Sequence, residues 1–350
     1  MPHVIFILFF LVSLSVGRTC TAGEIMFWHS FKDIHEQRLQ QAMNQFERTN
    51  PEIKVQLVYK GCYTEAFDTF AQSVAGPHIL QVAEYQFETL RKQTDKYRAV
   101  DELISVHAKD FPLYVSGFYA RDNGRIPALP FNISSGVMFI NWDAWQKAGL
   151  SEWDVPKTWA AFEETLKNLQ CDQGGGFSTV WPAAYIIEHF AAQCGLPLQD
   201  QEGHLDFSHP LLVKRLKNFS RLAAENYYTY GGRYSDAESL FTESKVTVFF
   251  QGANRYHTLA EKANFTIRAF PIPFDHTCVD KPYALNIGGA SLWATSGHAE
   301  AVYEDIKTLF TFLLKAETQA SWFEHTSYLP ITNAGLQKVL SIAHTDGRYS

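Results

Sequence analysis

The feature that most constrains this chain is a change of apolar pattern over residues 25–59. Ile25-Met26-Phe27-Trp28 is a short continuous apolar run. Leu39, Met43 and Phe46 then recur at helical spacing as far as Asn50-Pro51, after which Ile53, Val55, Leu57 and Tyr59 alternate. Strand, helix, strand in that order implies a parallel pair, because parallel neighbours cannot be joined by a tight turn and need a crossover. A sheet of this kind must be covered by helices, which commits the chain to an α/β architecture. Ile79-Leu80-Gln81-Val82 supplies a further strand, and Val302, Ile306, Leu309 and Leu313 mark a late helix. Two extended, proline-bearing stretches, Ile126 to Phe131 and Phe270 to Phe274, read as an outbound and a returning crossing between two lobes.

A chain of 350 residues that is 46% hydrophobic can bury two cores, and its net charge of −7 argues against nucleic acid as a partner. Val4 to Val16 is almost wholly apolar and is followed by small and polar residues up to Gly23, the pattern of an export signal ending near Ala22. The run is short for a permanent membrane anchor. Removal of that signal leaves Cys62, Cys171, Cys194 and Cys278 in an oxidising compartment, where Cys171 with Cys194 is the favoured bridge. No Cys/His spacing suits a metal, and no GxSxG elbow, HExxH helix or P-loop occurs, so no cofactor and no catalytic centre are expected.

Ligands of open α/β sheets sit beyond the strand ends, and those of two-lobed proteins sit between the lobes. That rule selects His29-Ser30, Gly61-Cys62-Tyr63, Glu84, the residues after Phe131, and the glycine pair in Ile287-Gly288-Gly289-Ala290-Ser291-Leu292-Trp293. Two glycines at a strand end either open backbone N–H groups to a ligand or make a bulge. Further on, Tyr328-Leu329-Pro330-Ile331-Thr332 places an aromatic ring where it can wall a cleft.

Taken together, several segments carry a resemblance: Phe27-Trp28-His29-Ser30, Tyr59-Lys60-Gly61-Cys62-Tyr63, Ile79-Leu80-Gln81-Val82-Ala83-Glu84, Pro130-Phe131-Asn132-Ile133-Ser134, Asn141-Trp142-Asp143-Ala144-Trp145, Pro156-Lys157-Thr158-Trp159, and the glycine and tyrosine segments above. Over residues 24–332 the chain resembles the periplasmic sn-glycerol-3-phosphate-binding proteins of ABC importers, within extracellular solute-binding protein family 1. The resemblance implies a two-lobed type II periplasmic binding protein fold with extended hinge crossings. It also implies a division into signal peptide 1–22, a first lobe of 23–130 with 287–315, and a second lobe of 131–286 with 316–350. The implied function is capture of sn-glycerol 3-phosphate, or of a glycerophosphodiester such as glycerophosphocholine, by a periplasmic monomer that delivers it to an inner-membrane permease. A sugar- or oligosaccharide-binding relative, a degenerate receptor and a periplasmic glycerophosphodiesterase are the alternatives.

The family's ligand contacts fall on Tyr63, Glu84, Ser134, Trp181, Gly289 and Tyr328. Glu84 can accept hydrogen bonds from glycerol hydroxyls, Ser134 and the Gly289 backbone suit phosphate oxygens, and the rings suit glycerol carbons or a choline cation. Three departures bear on the ligand. Ala184, next to Tyr185, stands where the family has a second tryptophan, and Gln251-Gly252 stands where it has a ligand-binding serine, which makes Gln251 a seventh candidate. The family's C-terminal region, with an arginine for the phosphate, has no counterpart here, so a truncated reading frame with weak binding or low stability is expected. Residues 341–350 then read as a frayed, non-helical end, and Lys60 or Arg233 as substitute cations.

Overall fold

The computed structural model describes residues 23–120, 124–169, 176–200, 202–233, 235–278 and 286–346. The expected signal segment and Cys171 lie outside these residues. β1 (Glu24–His29) and β2 (Lys54–Tyr59) pair in parallel from Glu24 with Lys54 to His29 with Tyr59, and α1 (Asp33–Thr49) is the crossover between them. α1 buries Leu39, Met43 and Phe46 on one face and ends where the Asn50 N–H reaches the Phe46 carbonyl, just before Pro51. α2 (Tyr63–Gln72) follows β2, and α3 (Glu84–Arg91) follows β3 (Ile79–Ala83). All five residues of β3 are buried, as a strand covered on both faces requires. β4 (Tyr97–Arg98), β5 (Leu129–Pro130) and, from much later in the chain, Ala290–Thr295 complete the first sheet.

The second sheet is built on β6 (Ser134–Asn141), with β7 (Phe177–Thr179), β8 (Val248–Gly252), β9 (Ile267–Pro271) and β10 (Ile287–Gly288). β11 (Ala290–Thr295) then returns to the first sheet, antiparallel to β3. Each sheet has its own core: Phe27, Leu80 and Trp293 belong to the first, and Met138, Phe177 and Phe250 to the second.

The chain crosses from the first sheet to the second between Pro130 and Ser134, and returns at Gly289, between Gly288 and Ala290. The two crossings are neighbours, since the Asn132 N–H donates to the Ala290 carbonyl at 3.2 Å. A third segment lies beside them, with the Leu329 N–H on the Ile133 carbonyl at 2.7 Å. Phe270 to Phe274 is therefore not the returning crossing. β9 runs antiparallel to β6, and Phe274 bridges to Thr158 within the second lobe. Pro271 is tolerated there because, among the described residues, β9 has a strand neighbour on one side only.

α4 (Glu300–Leu313), α5 (Ala316–Thr326) and α6 (Asn333–Asp346) close the described chain. The stretch 316–350, grouped by sequence with the second lobe, puts Tyr328 and Ile331 into the core of the first, with Trp322 packed against it. The polar end is helical as far as Asp346, contrary to the reading of a frayed tail; residues 347–350 lie outside those described. Thr332 caps α6 by accepting the Gly335 N–H at 3.0 Å, and buried Val339 with half-buried Leu336 and Ile342 forms a docking stripe.

The disulfide joins Cys194 to Cys278, with Cα atoms 5.4 Å apart, and not to Cys171; Cys62 is free and exposed. Sequence alone does not place Cys278 beside the end of the helix that carries Cys194. The partners are 84 residues apart in sequence. In the chain-entropy picture a loop of that size gives about 4–5 kcal/mol of stability. Cys278→Ser is expected to lose most of that, read as a lower denaturation midpoint that reductant no longer changes.

Candidate functional site

A cleft of about 510 Å³ opens at the crossings, with Tyr63, Glu84, Gly289 and Tyr328 on one side and Ser134, Tyr185, Gly252 and Asn254 on the other. Several of these groups arrive at a strand end or a helix start. Tyr63 begins α2 after a three-residue turn from β2 and Glu84 begins α3 directly after β3, while Ser134 opens β6 and Gly252 ends β8. Of the seven residues singled out by sequence, Tyr63, Glu84, Ser134, Gly289 and Tyr328 line this cleft. Trp181 and Gln251 are not in its lining. Trp181 is 37% exposed and has the Arg233 guanidinium 5.8 Å from its ring centre. Gln251 sits behind the wall, its Oε1 accepting from the Tyr185 hydroxyl at 3.1 Å.

Glu84 is the chemical anomaly of the site. Both of its carboxyl oxygens are buried without a hydrogen-bond partner, and desolvation pushes its pKa well above the usual carboxylate range. Burial likewise pushes the Tyr63 hydroxyl well up and the Tyr328 hydroxyl up to about 12, so both are protonated phenols at neutral pH.

Two amide side chains organise the rest. Asn132 donates to the Tyr63 hydroxyl at 3.1 Å and accepts from Gln81 at 2.9 Å, while Gln81 Oε1 accepts the Ser30 N–H at 2.8 Å. Across the cleft, Asn254 donates to the Tyr328 hydroxyl at 3.3 Å and accepts from Ser134 Oγ at 3.1 Å. Asn254 thus ties an aromatic of the first core to the start of the second sheet. Sequence reasoning did not single out Asn254, Glu188 or Asn286, marked Asn132 only as one of the residues after Phe131, and noted Tyr185 only as the neighbour of Ala184. The usable signal was Gln81, a polar residue in the middle of an apolar strand that needs a buried partner.

Five aromatic side chains, Tyr63, Tyr85, Phe118, Tyr185 and Tyr328, line the cleft and give it ring faces suited to carbon-bound hydrogens or a cation. Among the described residues of the lining there are two carboxylates, Glu84 and Glu188, and no lysine or arginine. Lys60 instead lies over the Trp28 ring at 4.0 Å, so neither proposed substitute cation reaches the site.

Two sheets joined by adjacent crossings, with a polar, aromatic-walled cleft between them, define a two-lobed solute-binding protein of the type II class. The chain belongs to the bacterial extracellular solute-binding protein family, whose model matches residues 41–340. It is similar to the periplasmic sn-glycerol-3-phosphate-binding protein UgpB of Yersinia pestis, at 28% identity over 93% of this chain and 80% of that protein. The corresponding protein of Pectobacterium atrosepticum is 29% identical over 90% of this chain and 75% of its own length. Among solved structures, UgpB from Mycobacterium tuberculosis in complex with glycerophosphocholine superimposes with a TM-score of 0.77 at 20% identity, over 94% of this chain and 85% of that one. Maltose-bound T. maritima MalE3 gives 0.72 at 17% identity, over 93% and 85%.

Proposed function

We propose that the cleft captures a glycerophosphodiester with a cationic head group, of which glycerophosphocholine is the representative, and that the closed protein delivers it from the periplasm to the membrane permease of an ABC importer. The observation that carries this reading is Glu84, a buried carboxyl with two unpartnered oxygens in a cleft of rings and neutral donors. The two unpartnered oxygens can pair with the two adjacent hydroxyls of a glycerol end, which all these ligands share: one accepts from a hydroxyl, and the other donates its proton while the carboxyl is neutral or accepts once it ionises. Charge then separates the candidates. A phosphomonoester carries about −1.5 to −2 at neutral pH, and the described lining holds no lysine or arginine to balance it. A zwitterionic diester carries no net charge, and its quaternary ammonium suits the ring faces. The phosphate would sit toward Ser134, Asn254 and the Gly289 backbone, away from Glu84.

Ligand would favour lobe closure about the crossings through contacts made to both lobes at once. The family and its relatives support a carrier and not a hydrolase. A thermal-shift panel of glycerophosphocholine, sn-glycerol 3-phosphate and maltotriose tests the reading. At a ligand concentration of 100 Kd, binding stabilises by about 2.7 kcal/mol, so glycerophosphocholine is expected to raise the midpoint most. It is also expected to be recovered intact, with no choline released. A shift with maltotriose alone overturns the assignment in favour of a sugar carrier.

A further inference from the structure

A second cavity, of about 400 Å³, lies in the first lobe between α1 and α5, outside the interlobe cleft. One face of α1 presents Arg38, Gln41, Gln45 and Arg48 to it, at spacings that place all four side by side along the helix. α5 faces them with Ser321, Trp322 and His325. The floor is apolar, built from Phe131, Leu313, Leu329 and Ile331. No carboxylate lines the cavity among the described residues.

Two of its donors have no hydrogen-bond partner among the described residues. Arg38 Nε and Trp322 Nε1 are both buried without a hydrogen-bond partner. Among the described residues Arg38 otherwise donates only to the neutral Gln41 at 2.9 Å, and Arg48 to its own helix at the Asn44 carbonyl at 3.3 Å. Neither arginine is ion-paired to a carboxylate among the described residues. Two guanidinium groups, an indole N–H and several amides around an oily floor form a cationic rim over an apolar base. Such a rim complements a compact anionic head carried on an apolar body.

We propose that this groove is a second ligand site, for a small organic anion with a short apolar chain, such as an alkyl phosphate or carboxylate. The volume fits a molecule of that size and not a folded partner. The head lies between Arg38 and Arg48, and the chain lies over Leu313 and Leu329. Phe131 belongs to the outbound crossing and Leu329 to the segment hydrogen-bonded beside it, so an occupant also touches a crossing. The proposal is independent of which solute the cleft takes.

Calorimetric titration of the full chain with hexyl phosphate tests it, with inorganic phosphate and hexanol carrying the head and the body alone. Hexyl phosphate is expected to bind saturably at one site, and each half-molecule at least roughly tenfold more weakly. The double substitution R38Q/R48Q is expected to weaken hexyl phosphate by roughly tenfold or more while leaving the cleft ligand's affinity unchanged. R38K/R48K, which keeps the charge, is expected to retain part of the binding, and Ser321→Trp, which fills the groove, is expected to block it. Thermal unfolding of each variant checks that the fold is intact. Absence of saturable binding overturns the proposal. So does binding that R38Q/R48Q and Ser321→Trp leave unchanged, which would place the anion elsewhere.

Discussion

Gly289→Ala is expected to destabilise the protein by more than about 3 kcal/mol, while Gly288→Ala changes stability by less than about 1 kcal/mol. The two glycines are adjacent, but only one is required. Gly289 has φ +116°, and a Cβ there would lie 1.9 Å from the Asn132 carbonyl oxygen. That oxygen belongs to the outbound crossing, which the hydrogen bond from Asn132 to Ala290 holds against the returning one. Accommodating a methyl means parting the two crossings, and with them the lobes. Gly288 is exposed at the end of β10, and a Cβ there meets nothing within 4 Å. Denaturant titration of both variants checks the contrast. Equal, small effects would show that the crossings are not locked together at Gly289.

Substitution of Glu84 is expected to move stability and binding in opposite directions. Glu84→Ala removes both oxygens and should weaken glycerophosphocholine binding by about 2–4 kcal/mol, or roughly 30- to 1000-fold. Glu84→Gln, which keeps the shape, should stabilise the ligand-free protein at neutral pH by about 1–3 kcal/mol, because it removes a buried group that ionises at a penalty. The pH dependence follows from the raised pKa. The folded chain holds the Glu84 proton to higher pH than the unfolded chain does, so the wild type loses stability as pH rises through the window between the two values. The advantage of Glu84→Gln is therefore absent at pH below the ordinary carboxylate range, grows above it, and levels off above the folded pKa. Unfolding midpoints of the ligand-free proteins across that range check this. An advantage that does not vary with pH would contradict it.

Much of the site was legible because strand ends are legible. Tyr63 and Glu84 follow apolar runs, Ser134 and Gly289 flank them, and the sheet geometry brings such ends to one place. What escaped reading depends on relations between segments distant in sequence. Phe270 to Phe274 has the prolines of a crossing, yet an edge strand tolerates the same residues, and only the pairing of β9 with β6 separates the two. Asn132 and Asn254 are ordinary turn residues in sequence and gain their roles from hydroxyls 69 and 74 positions away. The Cys194–Cys278 bridge needs Cα proximity that no spacing rule supplies. The helix to Asp346 is hard to read because its last turns are rich in Ser, His, Thr and Asp in sequence, while its apolar stripe at 336, 339 and 342 is sparse.

The central claim is that the cleft selects a zwitterionic glycerophosphodiester through Glu84, ring faces and neutral donors. Calorimetric titration of the wild-type chain with glycerophosphocholine and, separately, with sn-glycerol 3-phosphate tests it most directly. The account predicts saturable one-to-one binding of glycerophosphocholine and binding of sn-glycerol 3-phosphate weaker by roughly tenfold or more. Tighter binding of sn-glycerol 3-phosphate, or no heat of binding from glycerophosphocholine, would contradict it.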